Sequence, residues 1–277
     1  IMLSLGFSPC PNDTYIFNHQ VNRSVDSGQL FAPPQLEDVE TLNRWAIDQR
    51  LDVTKLSYHA AGFLLDHYCI LQTGSALGRG CGPLVIGKED CALESLRDKR
   101  VGIPGQYTTA ALLFKMVAPP SCELIEMRFD LIPGAVESGN VAAGVIIHES
   151  RFTYQDMGLI CLRDLGQWWE EKTGLPIPLG CIAARRSLGY EKIRTVEQLI
   201  RKSLEQANHD PQSCQPYIKQ YAQETAESVV TSHIGLYVND FSLDLGKEGR
   251  AAVQTFIKKG QHLGHLPESD RPLFCLD

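Results

Sequence analysis

Short apolar runs of three to five residues recur along the chain, each ending abruptly in polar residues or glycine and followed by a stretch with helical spacing. Such runs read as buried strands, and their alternation with amphipathic segments reads as an α/β protein with largely parallel pairing. Strands are expected at Met2–Phe7, Gln35–Val39, Asp52–Leu56, Tyr68–Gln72, Leu84–Gly87, Val101–Ile103, Glu123–Met127, Val141–Ile147, Leu159–Leu162 and Cys181–Ala184. Helices are expected from about Thr14, over Glu40–Gln49, Ala110–Val117, Leu131–Ser138 and Asp164–Thr173, and then over Val196–Ala207, Gln215–Glu224 and Gly249–Lys259. Trp45, on the second of these, has the spacing of a core residue.

Three junctions share one design: a strand, a short loop and a helix N-terminus. In the first, Ser8-Pro9-Cys10-Pro11 is stiffened by two prolines, and Asn12 or Asp13 is the expected N-cap. The second runs Lys55-Leu56-Ser57-Tyr58-His59; Ser57 is the expected cap, and Lys55 projects from the same side as Ser57. At the third, Pro104–Thr109 leads into Ala110–Val117, and one of Thr108 and Thr109 should cap while the other remains able to bond a ligand.

A fourth strand end carries the strongest candidate chemistry. Val145-Ile146-Ile147 stops at His148, followed by Glu149, Ser150 and Arg151. Ligands of open α/β sheets bind beyond the carboxyl ends of strands, and an imidazole with an ordinary pKa of about 6.5 can take or give a proton there. The same position also suits a histidine that only caps its strand by bonding to backbone.

Composition narrows the partners. With 26 basic against 33 acidic residues the net charge is −7, and no basic cluster is interleaved with aromatics, so a nucleic-acid role is not expected. An anionic small molecule would have to be held by helix N-termini and single placed cations. No window approaches eighteen apolar residues, so no membrane span is expected. Nine scattered cysteines without a CxxC pair read as small core hydrophobes of a reducing cytosol rather than a disulfide framework. Cys10, close to a helix N-terminus, is the one with a rival chemical reading. No metal-ligand cluster is visible among the dispersed histidines. The glycine-rich stretch Gly74–Pro83 has neither phosphate-loop pattern, and its Arg79 could hold a carboxylate or simply be a surface residue.

Fresh strand–helix alternation after residue 84, and a proline-braced segment at 174–181 leading to terminal helices, suggest two lobes. The expected division is a larger discontinuous lobe, 1–84 with 179–277, and a smaller one, 85–178, with a ligand cleft between them.

Several blocks together resemble one family. SPCPNDT (8–14), LEDVETLNRWA (36–46), TKLSYHA (54–60), ALGRGCGPLV (76–85), TTA (108–110), GVIIHESRFTY (144–154), TGLPIPLG (173–180) and YVNDFSLDLG (237–246) are similar to the 1,4-dihydroxy-6-naphthoate synthases of the futalosine route to menaquinone. The resemblance implies a two-lobed fold like type II periplasmic binding proteins and a cytoplasmic lyase acting on cyclic dehypoxanthinyl futalosine. It implies a small carboxylate-bearing substrate, with neither metal nor organic cofactor. It also implies His148 as the base, with Asn43, Lys55, Ser57, Thr108 and Thr109 in the substrate pocket. Chorismate dehydratase, on the same fold, is the nearer alternative; a non-catalytic small-carboxylate binding protein is the other. The apolar helices after 187 offer a face for a homodimer.

Overall fold

The computed structural model describes residues 2–22, 25, 29–223 and 226–276. Its strands are β1 (Leu5–Phe7), β2 (Gln35–Leu36), β3 (Val53–Ser57), β4 (Tyr68–Ile70), β5 (Ala76–Gly78), β6 (Leu84–Gly87), β7 (Arg100–Ile103), β8 (Glu123–Glu126), β9 (Ala143–Ile146), β10 (Ile160–Asp164) and β11 (Ile177–Arg185). The helices that matter for the site are α1 (Pro11–Val21), α2 (Val39–Ile47), α3 (Tyr58–Phe63) and α4 (Thr109–Val117). The chain forms two compact units, residues 1–78 with 178–277, and residues 79–177.

The first unit is built on the sheet β2-β1-β3-β11-β4, with β5 added beside β11. β1 pairs in parallel with β2 and β3, whereas β11 runs antiparallel to both β3 and β4. The second unit has the sheet β10-β6-β9-β7-β8; β7 is parallel to β8 and β9, while β6 is antiparallel to β9 and β10. The expectation of largely parallel pairing is therefore corrected: both sheets are mixed. Each has a parallel set of strand–helix–strand origin, and the strand that runs against it, β11 in the first sheet and β6 in the second, is the one with which the chain enters that unit from the other.

The core of the first unit gathers around α1, which is buried over Pro11–Gln20 rather than along one stripe. The rings of Phe7 and Phe17 stack at 4.3 Å. Helix Tyr190–His209 covers another side, where the Ser203 hydroxyl donates to the Ile16 carbonyl (2.6 Å) and the Tyr15 hydroxyl to the Ala207 carbonyl (3.0 Å). A helix enclosed all round must find internal partners for its polar groups, and these bonds supply one for the Tyr15 hydroxyl and one for the Ile16 carbonyl.

α1 begins at Pro11 rather than near Thr14, with Cys10 in the N-cap position. Proline at the first helical position needs no hydrogen-bond partner and has its φ preset, so Pro11 starts the helix earlier than Asn12 or Asp13 could. Ser57 does stand at the N-cap of α3, but its side chain makes no capping bond, because its backbone and hydroxyl are engaged by Asn43. Of the expected extended segment ahead of Cys181, residues 177–180 belong to β11 itself. Its pairing with β3 runs from Gly180 to Ala184, so Pro176 and Pro178 lie ahead of that ladder and interrupt none of its bonds. Of the helix expected over Gln215–Glu224, Gln215–Tyr221 is helical, and Glu224 lies outside the described residues.

The cysteine expectation also needs one correction. Cys69 on β4 and Cys275 are joined, closing a sequence separation of 206 residues. The C-terminal segment lies against β4: the Ile70 N–H donates to the Leu273 carbonyl (2.9 Å) and the Cys275 N–H to the Ile70 carbonyl (3.0 Å). That register sets the two sulfurs face to face, a long-range pairing that spacing in the sequence could not reveal. No described helix is long and apolar enough to cross a membrane.

Candidate active site

Both sheets present their candidate residues in the same way, at the carboxyl ends of neighbouring parallel strands. In the first unit these strands are β1 and β3, paired at Leu5–Val53 and Gly6–Thr54. Asp13, fully buried in the first turn of α1, is the hub of what lies beyond them. One carboxylate oxygen accepts from the Ser8 N–H (3.1 Å) and the Ser8 hydroxyl (2.6 Å); the other accepts from the Asn12 amide (3.1 Å) and the Lys55 ammonium (2.7 Å). Four donors on two oxygens, together with the helix N-terminus, compensate a carboxylate removed from water.

The Lys55 side chain is only 7% exposed, and Asp13 is its one partner among the described residues. An ammonium has three donors, so two N–H groups remain unspent beside a buried charge. Gly180 on β11 makes room for this side chain: a Cβ there would stand 3.0 Å from Lys55 Cε and 3.1 Å from the Leu56 carbonyl. Two residues on, Ser57 is held by Asn43 of α2, whose carbonyl accepts from the Ser57 N–H (2.9 Å) and whose amide donates to the Ser57 hydroxyl (3.0 Å) and to Glu40 (3.3 Å). Asn43, fully buried, thus fixes the turn between β3 and α3.

In the second unit the strands are β7 and β9, paired at Val101–Ala143 and Gly102–Gly144. Beyond β7, Thr108 is the N-cap of α4: its hydroxyl donates to the Gly105 carbonyl (2.7 Å) and accepts from the Ala111 N–H (3.2 Å). Thr109 follows, 3% exposed. The capping role expected of one of this pair falls to Thr108.

Beyond β9 stands His148, half-buried, with a backbone φ of +56°. A non-glycine residue in this left-handed region is strained, and such strain concentrates at functional positions. The turn is held by Arg151, whose N–H donates to the His148 carbonyl (3.3 Å). The Arg151 guanidinium reaches back to the Gly80 (2.9 Å) and Gly82 carbonyls and to Asp164 (3.3 Å). The glycine-rich stretch is therefore a structural seat: a Cβ on Gly82 would stand 2.2 Å from Gly166 Cα, so the two backbones meet there without side chains. Phe129 presents its ring to the His148 imidazole in a T-shaped contact, centroids 4.9 Å apart.

The structure brings Lys55, Ser57 and Asn43 to the strand ends of one sheet, and Thr108, Thr109 and His148 to those of the other. Two residues were missed. Asp13 was read as a cap, yet its side chain pairs with Lys55. His233, on the helix Glu227–Tyr237, meets the Asn12 carbonyl through Nε2 at 2.9 Å. Arg79 donates to the Gly174 carbonyl (3.1 Å), a bond within its own unit. Burial pushes the thiols of Cys81 and Cys181 up to about 12, and Cys181 stays high although the Lys55 charge opposes the shift. The described residues contain no group of three His, Cys, Asp or Glu arranged to hold a metal ion.

Alternating strands and helices in two sheet-centred units, with polar residues at the carboxyl ends of parallel strands, define a protein of the periplasmic-binding-protein fold. A solved Candida albicans protein, described as exhibiting the generic periplasmic binding protein structural fold, superposes with a TM-score of 0.66 at 13% identity, over 98% of this chain and 92% of that one. Within that fold the chain belongs to the menaquinone biosynthesis family, whose sequence model matches residues 3–262. It is 48% identical over 272 residues to a Thermus thermophilus protein named 1,4-dihydroxy-6-naphthoate synthase, covering 98% of each chain. It is 42% identical over 274 residues to the Streptomyces coelicolor protein of the same name, covering 96% of this chain and 95% of that one.

Proposed function

We propose that this chain is a cytoplasmic lyase that converts cyclic dehypoxanthinyl futalosine to 1,4-dihydroxy-6-naphthoate and a sugar-derived fragment. The observation that carries the reading is His148, an imidazole held in a left-handed turn directly after β9, in a chain matched over nearly its whole length by two synthases of that name. Release of an aromatic product from a spirocyclic sugar adduct requires loss of a proton beside a carbonyl-type carbon. His148 takes that proton, and cleavage of the ring–sugar bond follows, driven by aromatisation. A positioned base contributes about 10²–10⁴-fold.

The substrate carboxylate is received by the Lys55 ammonium and by the Ser57 hydroxyl, whose oxygen accepts from the Asn43 amide and whose own O–H is left to donate. Asn43 supports this set by fixing Ser57. Hydrogen bonds to a charged group are worth roughly twice neutral ones, so these few donors supply both affinity and orientation.

The test is to incubate the purified protein with cyclic dehypoxanthinyl futalosine, and separately with chorismate, and to follow the naphthoate chromophore. The chromophore is expected only from the futalosine derivative. No product from it, together with dehydration of chorismate, would overturn the assignment.

A further inference from the structure

We propose that His233, Asn12 and Asp13 form a positioning chain that aims the Lys55 ammonium at an anionic group of the ligand. This rests on the reading above that the ligand carries a carboxylate. The orientation of each member follows from its neighbour. The Asn12 amide must turn its NH₂ to Asp13, because the opposite orientation would set a carbonyl oxygen against a carboxylate oxygen 3.1 Å away. The Asn12 carbonyl then faces His233 Nε2 at 2.9 Å, so that nitrogen carries the proton. Asp13 is locked by Ser8 on one oxygen and by Asn12 and Lys55 on the other.

The chain therefore runs His233 to Asn12 to Asp13 to Lys55, and every member is nine-tenths or more buried. It joins residues 221 positions apart for the first link and 42 apart for the last. A buried ammonium with one of three donors spent among the described residues is a cation held for an oxygen acceptor. Gly180 keeps the far side of its stem open. Because Asp13 already neutralises Lys55, the pair discriminates by placement of N–H groups more than by net charge, and placement is what the chain fixes.

The probes are 2-naphthoate and its neutral isostere 2-naphthamide, with binding measured calorimetrically on the full chain. The wild type is expected to prefer the carboxylate by about tenfold or more, the scale of one charge-assisted contact. The double variant Asn12→Leu/His233→Phe removes both polar partners at once, which is far gentler on a fold than stranding one. It should bind the amide as before and lose most of the carboxylate preference. In turnover its KM should rise while kcat stays within about twofold. His233→Gln keeps an N–H donor and should retain the preference. Gly180→Ala pushes on the Lys55 stem from the other side without touching His233, Asn12 or Asp13, and should lose the preference. Where the double variant fails to fold, His233→Phe alone decides: it removes the donor that orients Asn12 while keeping a ring, and an undiminished carboxylate preference in it overturns the proposal. A wild type that binds acid and amide alike overturns the proposal, whatever the turnover assay shows. So does an undiminished preference in Gly180→Ala or in the folded double variant. Failure of naphthoate formation by a wild type that still prefers the acid would instead overturn the assigned reaction.

Discussion

The buried pair between Lys55 and Asp13 makes a quantitative prediction. Its atoms are 2.7 Å apart, with side chains 7% and 0% exposed, so neither charge has bulk water to fall back on. Removing one member of such a pair costs about 3–5 kcal/mol, most of it from the charge left behind. Lys55→Met leaves the Asp13 carboxylate with its three other donors, from Ser8 and Asn12. The cost is therefore placed at the low end, about 3 kcal/mol at pH 7, or a fall in Tm of roughly 6–12 °C. Asp13→Leu is worse, because it strands the ammonium together with the donors of Ser8 and Asn12; about 5 kcal/mol is expected. Once Asp13 is leucine, removing the lysine costs little, so the double variant should be less destabilised than the sum of the singles by about 3 kcal/mol. Urea unfolding followed by circular dichroism gives all four values. A Lys55→Met cost below about 1 kcal/mol, the range of exposed pairs, or strict additivity in the cycle would refute the claim that this pair is desolvated and coupled.

Three further predictions concern other parts of the chain. Thr108→Val removes the cap that accepts from the Ala111 N–H and should cost about 1 kcal/mol in thermal or urea unfolding, with Thr108→Ser close to wild type. Burial raises Cys81 and Cys181 to about 12 and Cys214 to about 11, so at pH 8 these thiols stay protonated; iodoacetamide should label them only after unfolding, as mass spectrometry of the native and urea-treated protein would show. Cys275→Ser frees the C-terminal segment from β4 and should lower stability by about 2–5 kcal/mol under non-reducing conditions; equal unfolding midpoints with and without dithiothreitol in the wild type would contradict the bridge.

The elements were legible wherever local pattern decides them. Val145-Ile146-Ile147 announces β9 by its apolar run, and the pair Thr108-Thr109 announces the start of α4 by its hydroxyls. Strand sense was not legible: nothing in Cys181–Ala184 says that β11 enters the sheet antiparallel between β3 and β4, since that depends on where the connection brings the chain. The candidate site was half legible for the same reason. Lys55 and Ser57 share a side of one strand by simple alternation, and His148 stands out as the polar end of an apolar run. Asp13 looked like a cap because its neighbours in sequence are cap residues. Its real partner lies 42 residues away, and the histidine supporting Asn12 lies 221 away on a helix with no distinctive pattern. Polar contacts of that separation leave no periodic trace in a single sequence.

The central claim is that His148 is the base, and His148→Asn tests it most directly. Asparagine tolerates the left-handed φ of +56°, so the turn is preserved while the imidazole is lost. Single-turnover formation of the naphthoate from cyclic dehypoxanthinyl futalosine should slow by about 10²–10⁴-fold while substrate affinity changes little. A folded His148→Asn protein that forms the naphthoate at the wild-type rate would contradict it.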